Sequence, residues 1–95
     1  MKDVKRQTVS GTQVFDMKLK RSAFLVKNLT EGDILVWLGE TAPSSDSEKT
    51  KIPSMCFEVV FNNIEDATTG TAEATDRVNV TATTSGEVEV ASVDF

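Results

Sequence analysis

The stretch Arg77-Val-Asn-Val-Thr-Ala-Thr-Thr-Ser-Gly-Glu-Val-Glu-Val-Ala-Ser-Val-Asp-Phe95 decides the fold class. Val78, Val80 and Ala82 fall on one side of a first arm, and Val88 and Val90 on one side of a second. A spacing of two is what a strand with one buried face requires. Between the arms, Thr84-Ser85-Gly86 reads as the turn of a hairpin, with Gly86 free to take positive φ. Val93 and Phe95 lie on the opposite parity to Val88 and Val90. A bulge near Ala91-Ser92 would restore a single buried side; otherwise both sides of the strand end are covered, for instance by a neighbouring subunit.

Upstream the same grammar repeats. Phe15, Met17 and Leu19 alternate with Asp16 and Lys18, which makes a strand with one wet face. Lys20-Arg21-Ser22 interrupts it, and residues 23–28 form another strand. Thr30-Glu31-Gly32-Asp33 reads as a turn with Gly32 at positive φ. The run Ile34-Leu-Val-Trp-Leu38 is short, continuous and bounded by Gly32 and Gly39, as a strand buried on both sides would be. Residues 40–51 are polar and rich in Ser and Thr, an exposed loop. Pro53 marks a strand edge or entry, and Met55 to Phe61 is the next strand. A polar segment from Asn62 to Asp76 follows, with a short helical turn expected from Ile64.

About seven strands at this spacing predict an all-β domain over residues 1–95, an antiparallel sandwich or small barrel with one long polar loop. Its expected core is Phe15, Met17, Leu19, Phe24, Val26, Ile34, Val36, Phe57, Val59, Phe61, Val78, Val80, Val88 and Val90. Trp37, the only tryptophan, reads as a core or interface anchor. Cys56, the only cysteine, excludes an internal disulfide and reads as a small packing residue of its apolar run.

Chemistry is sparse. The chain has no histidine, which removes the commonest general base and the commonest transition-metal ligand. With a single cysteine, an ordinary structural zinc site is excluded as well. No phosphate-binding loop, dinucleotide fingerprint or nucleophile elbow occurs. Glu87 and Glu89 share the wet face of the last arm and read as solvated acids. Asp46 with Glu48, or Glu65 with Asp66, are the acidic pairs where calcium would sit, but neither has the spacing of an EF-hand loop. Asn28-Leu-Thr30 and Asn79-Val-Thr81 match the glycosylation pattern, which Thr-rich strands produce by chance. No enzyme activity, metal, cofactor or small-molecule substrate is indicated.

The formal charge of −5 is unevenly spread. Residues 1–27 hold seven Lys/Arg against Asp3 and Asp16, a net of +5; residues 28–95 hold Lys49, Lys51 and Arg77 against thirteen acids, a net of −10. The two parts can pair within one subunit or between copies, or they are solvated strand faces. Lys18, Lys20, Arg21 and Lys27 form the basic cluster, either a docking face for an acidic partner or a charged strand edge. A net acidic chain is not expected to bind nucleic acid. No apolar run is long enough to cross a bilayer, and Met1-Lys-Asp-Val-Lys-Arg-Gln7 lacks the apolar centre of a secretory signal.

The order Val26-Lys27-Asn28, then Gly32-Asp33-Ile34-Leu35-Val36, then a Ser-rich loop and Ile52-Pro53, then Val78-x-Val80-x-Ala82 and Ser85-Gly86-x-Val88-Glu89-Val90, resembles small structural proteins of tailed phages and prophages. The resemblance spans about two-thirds of the chain. It implies a non-enzymatic virion component: a capsid decoration protein, or a head-fibre or tail accessory part. Such a protein acts by self-association, a trimer for example, and by docking to other virion proteins, in a particle assembled in the bacterial cytoplasm. Lys18, Lys20, Arg21, Lys27, Trp37, Val93 and Phe95 are then the candidate interface residues. The competing expectation is a monomeric binding module that uses the loop 40–51 on a peptide or carbohydrate. That loop contains no aromatic residue to stack on a sugar.

Overall fold

The computed structural model of the chain describes residues 3–62, 70 and 73–93. Among these residues the secondary structure is six strands and one short 3₁₀ turn: β1 (Val4–Arg21), β2 (Ala23–Leu29), β3 (Ile34–Leu38), the turn Asp46–Glu48, β4 (Thr50–Ile52), β5 (Phe57–Phe61) and β6 (Thr75–Ser92). The all-β reading holds. The C-terminal hairpin does not, because both of its arms belong to the single strand β6. Val78, Val80, Ala82, Val88 and Val90 are nevertheless all buried on the same side.

A corner reconciles the two. Opposite β1, Gly11 pairs with Ala82 and Val9 with Gly86, so Thr83, Thr84 and Ser85 of β6 face Ser10 alone. The two surplus residues bend the strand and, being an even number, return it with its apolar side still inward. The positive φ falls on Gly11 (69°), not on Gly86 or Gly32. Those two glycines answer a different need, close approach. A Cβ on Gly86 would lie 3.0 Å from Thr30 Cα, and one on Gly32 would lie 2.8 Å from Thr84 Oγ1.

The corner lets one strand serve two parts of a single six-stranded sheet. Before it, residues 78–82 of β6 pair with β3; beyond it, residues 87–92 pair with β2. β1 follows the opposite edge of β6 through both halves. β4 extends the β3 side and β5 the β2 side, every pairing being antiparallel. The two ends of the sheet then curl towards each other into a nearly closed barrel.

Side chains stitch the seams. Asp3 N–H donates to Ser92 Oγ (2.8 Å), and its carbonyl accepts from Ser92 N–H (2.7 Å). Its carboxylate accepts from the amides of Lys18 and Leu19, near the far end of β1. On the other side, Asn28 N–H donates to the Cys56 carbonyl (2.9 Å). Asn28 Nδ2 donates to the carbonyls of Gly32 (2.8 Å) and Ile52 (2.9 Å), and Oδ1 accepts from Thr30 N–H (2.9 Å). Asn79 Nδ2 donates to the Trp37 and Gly39 carbonyls. Both glycosylation-pattern asparagines are therefore buried structural residues.

The core contains Val9, Phe15, Met17, Phe24, Val26, Ile34, Val36, Leu38, Ile52, Val60, Val78, Val80, Val88 and Val90. Several expectations fail here. Leu19 is only half-buried, and β3 is not sealed on both faces: Ile34, Val36 and Leu38 are buried, while Leu35 and Trp37 are half-buried on the outside. The ladder runs through Ala91 and Ser92 without a bulge. Both are buried because Asp3 covers Ser92 and because Ala91 is small and sits between Val4 and Leu25. β5 reverses its expected parity, with Val60 inside and Phe57, Val59 and Phe61 outside. Cys56 is exposed instead of packed. The helical turn expected from Ile64 lies outside the described residues.

Two substitutions test this architecture. Asn28→Ala strands several buried backbone groups and should lower unfolding free energy by about 2–4 kcal/mol, read as a fall in urea midpoint at constant slope. Gly86→Ala forces the corner off Thr30 and should cost about 1–3 kcal/mol, read in the same titration.

Candidate interaction surface

The reversed parity of β5 begins in the turn that precedes it. Cys56 N–H donates back to the Pro53 carbonyl (3.2 Å), and Met55, the second central residue of that turn, has φ of 61°. Left-handed backbone at a residue with a Cβ costs about 1–2 kcal/mol. It delivers β5 beside β2 with its odd-numbered side chains outward. Phe57 is 66% exposed, Phe61 56%, Val59 41% and Met55 64%.

The register carries this stripe across the sheet. Val59 lies opposite Leu25, Leu25 opposite Ala91, and Ala91 opposite Val4, an apolar row over β5, β2, β6 and β1. Val4 and Leu29 on the same face are also exposed. The neighbouring row is Phe57, Lys27, Glu89 and Arg6. The result is an outward apolar sheet face beside a line of charges that alternate in sign.

Those charges are paired with one another. Arg6 donates to Glu89 Oε1 at 2.9 Å and lies 3.8 Å from Glu87, while Lys27 Nζ lies 3.5 Å from Glu89 Oε2. Basic residues of the first third thus meet acids of the last strand within one chain. Glu87 is a solvated acid, as expected, but the Glu89 side chain is only 16% exposed. The Arg6 hydrogen bond, with the positive charges of Lys27 and Arg6, outweighs its partial desolvation and holds its carboxyl below the ordinary glutamate range.

The expected interface residues are dispersed. Lys18 and Lys20 are exposed near the end of β1, and Arg21 donates to the Lys20 carbonyl at 3.0 Å. Lys27 belongs instead to the Glu89 group. Trp37 is neither core nor open surface: Lys49 Nζ sits 4.4 Å from its ring centroid while holding Asp46 at 2.8 Å, so the polar loop folds over it. Val93 is half-buried, and Phe95 lies outside the described residues. Sequence reading missed the outward role of Met55, Phe57 and Val59. Alternation with Glu58 points Phe57, Val59 and Phe61 inward, so spacing carried no signal of the reversal.

The loop 40–51 is exposed over most of its length and is tied by its own contacts, Ser44 to Glu48, Ser45 to Ser47 and Lys49 to Asp46. At its base a polar cavity of about 340 Å³ is lined by residues that include Lys20, Glu40, Glu73, Asp76 and Arg77. Asp46, one of the candidate calcium ligands, is occupied by Lys49; Glu65 and Asp66 lie outside the described residues. Among the described residues no three acids or cysteines gather as metal ligands, and no helix is long and apolar enough to cross a membrane. Comparison of the chain with protein-family models, with curated proteins and with solved structures finds no match. What this surface offers physically is apolar area on a rigid sheet, suited to docking.

Because the folded-state pKa of Glu89 is depressed, its contribution to stability is present above its unfolded value near 4.5 and is lost as pH falls through the folded value. Glu89→Gln should therefore cost about 0.5–1 kcal/mol at pH 7. The gap to the parent chain should close below pH 4.5, measured by urea unfolding across pH.

Proposed function

We propose that this chain is a non-enzymatic structural protein of the tailed-phage type, a capsid decoration, head-fibre or tail accessory subunit. It acts by associating with further copies of itself and by docking to the other proteins of a symmetric particle assembled in the bacterial cytoplasm. The observation that carries this reading is the outward face of β5 and its preceding turn, where Phe57, Val59 and Met55 stand in solvent beside a well-sealed core. Contiguous exposed apolar surface of this size marks an interaction site more often than chance. A docking role also suits a chain without histidine and with no gathered metal ligands among its described residues. The acidic net charge speaks against nucleic acid as partner.

The second reading, a monomeric module binding peptide or carbohydrate through the loop 40–51, draws on the polar cavity at the loop base. It lacks an aromatic platform there, since Trp37 is capped by Lys49 and does not line that cavity.

Light scattering of the purified chain over a concentration and salt series tests the proposal. A discrete oligomer is expected, and because apolar area drives it, added salt should leave it intact or tighten it. An assembly that dissociates in salt would shift the contact to the basic Lys18–Arg21 region. A monomer at every concentration and salt level would overturn the self-association on which the proposal rests.

A further inference from the structure

We propose, building on the assembly reading above, that the partner of the β5–β2 outer face is the same face of a second copy, in a twofold contact centred on Val59. Three observations lead there.

The first is area. An aromatic side chain presents roughly 200 Å², so Phe57 and Phe61 leave on the order of 250 Å² in water at their observed exposures. Met55, Val59, Val4 and Leu29 bring the apolar face to about 500 Å². With the exposed flanks of Arg6 and Lys27, two such faces reach the roughly 1,000 Å² or more that a stable specific contact buries.

The second is charge. The whole chain carries −5, so two copies meeting at random surfaces repel each other. Arg6 and Lys27 balance Glu87 and Glu89 on this face, leaving it neutral. The charges of the row Lys27, Glu89, Arg6 are answered within the row, so a second copy meets no net repulsion here. A partner of strong single sign would find no match here.

The third is geometry. β5 pairs with β2 on one edge and lies alongside β3 and β4 on the other. The face itself turns Phe57 and Val59 outward, where a second copy can pack on them. Val59 is the middle of the Phe57, Val59, Phe61 stripe, so a twofold axis through the stripe brings Val59 closest to its own counterpart.

The test is a charge swap at that point. Val59→Lys and Val59→Glu each place like charges against themselves and should weaken dimerisation on the order of 100-fold. An equimolar mixture of the two should restore the dimer mass in sedimentation. Val59 is 41% exposed already, and unchanged thermal unfolding of the dilute variants verifies that the fold survives. Phe57→Thr, which keeps a strand-forming residue and adds no charge, should also weaken the dimer. Dimers that persist in all three variants overturn this contact and leave the assembly reading standing. A trimer does the same, because a twofold contact closes at two. A parent chain that is monomeric throughout overturns both.

Discussion

The corner of β6 at residues 83–86 is the constraint on which the remaining structure depends. A strand of 18 residues would otherwise run straight out of a domain this small. Two surplus residues opposite Ser10 bend it while keeping Val78, Val80, Val88 and Val90 on one side. The bend works only if the chain outside it is held close. Gly86 rests against Thr30, Gly32 against Thr84, and Asn28 locks the intervening turn by donating to the Gly32 carbonyl and accepting from Thr30 N–H, while its other amide hydrogen ties the turn to Ile52 of β4. Local backbone geometry, side-chain hydrogen bonding and barrel closure are therefore one coupled feature.

Closure has a consequence at the opposite end of the sheet. The Asp3 contacts with Ser92, Lys18 and Leu19 consume the polar groups where β1 begins and nearly ends. The Asn28 contacts draw Ile52 and Cys56 together on the other seam. β5 is then positioned by its neighbours more than by its own side chains. Val60 enters the core, and the larger Phe57 and Phe61 are left outside. Hydrophobic burial within one chain would favour the reverse. The left-handed Met55 and the pairing of β5 with β2 override it.

Much of this was legible from residue order. Phe15 and Met17 of β1, Phe24 and Val26 of β2, and Val78, Val80, Val88 and Val90 of β6 are buried as alternation requires. The polar loop is where composition places it. Legibility ended where a local signal had two physical outcomes. Thr84-Ser85-Gly86 marks a break in regular pairing, and a hairpin turn and a bulged corner need the same small, polar residues. In residues 57–61 alternation with Glu58 points Phe57, Val59 and Phe61 inward, and the turn at Met55 reverses it. Trp37 reads as an anchor in any context, and only the folded loop shows Lys49 over its ring. Lys27 was grouped with Lys18, Lys20 and Arg21 by proximity in the chain, although its charge is answered by Glu89, 62 positions away.

By itself the sequence determined the class of structure, the strands and the side of most strands that is buried. These follow from period-two spacing. Tertiary structure alone decided which strand each half of β6 pairs with, which acids are paired and which face of β5 meets water. The physical reason is that alternation specifies two faces without specifying what lies beyond them. In β5 inside and outside are set by the Met55 turn and by pairing with β2, against the strand's own alternation, and the candidate docking surface is made there.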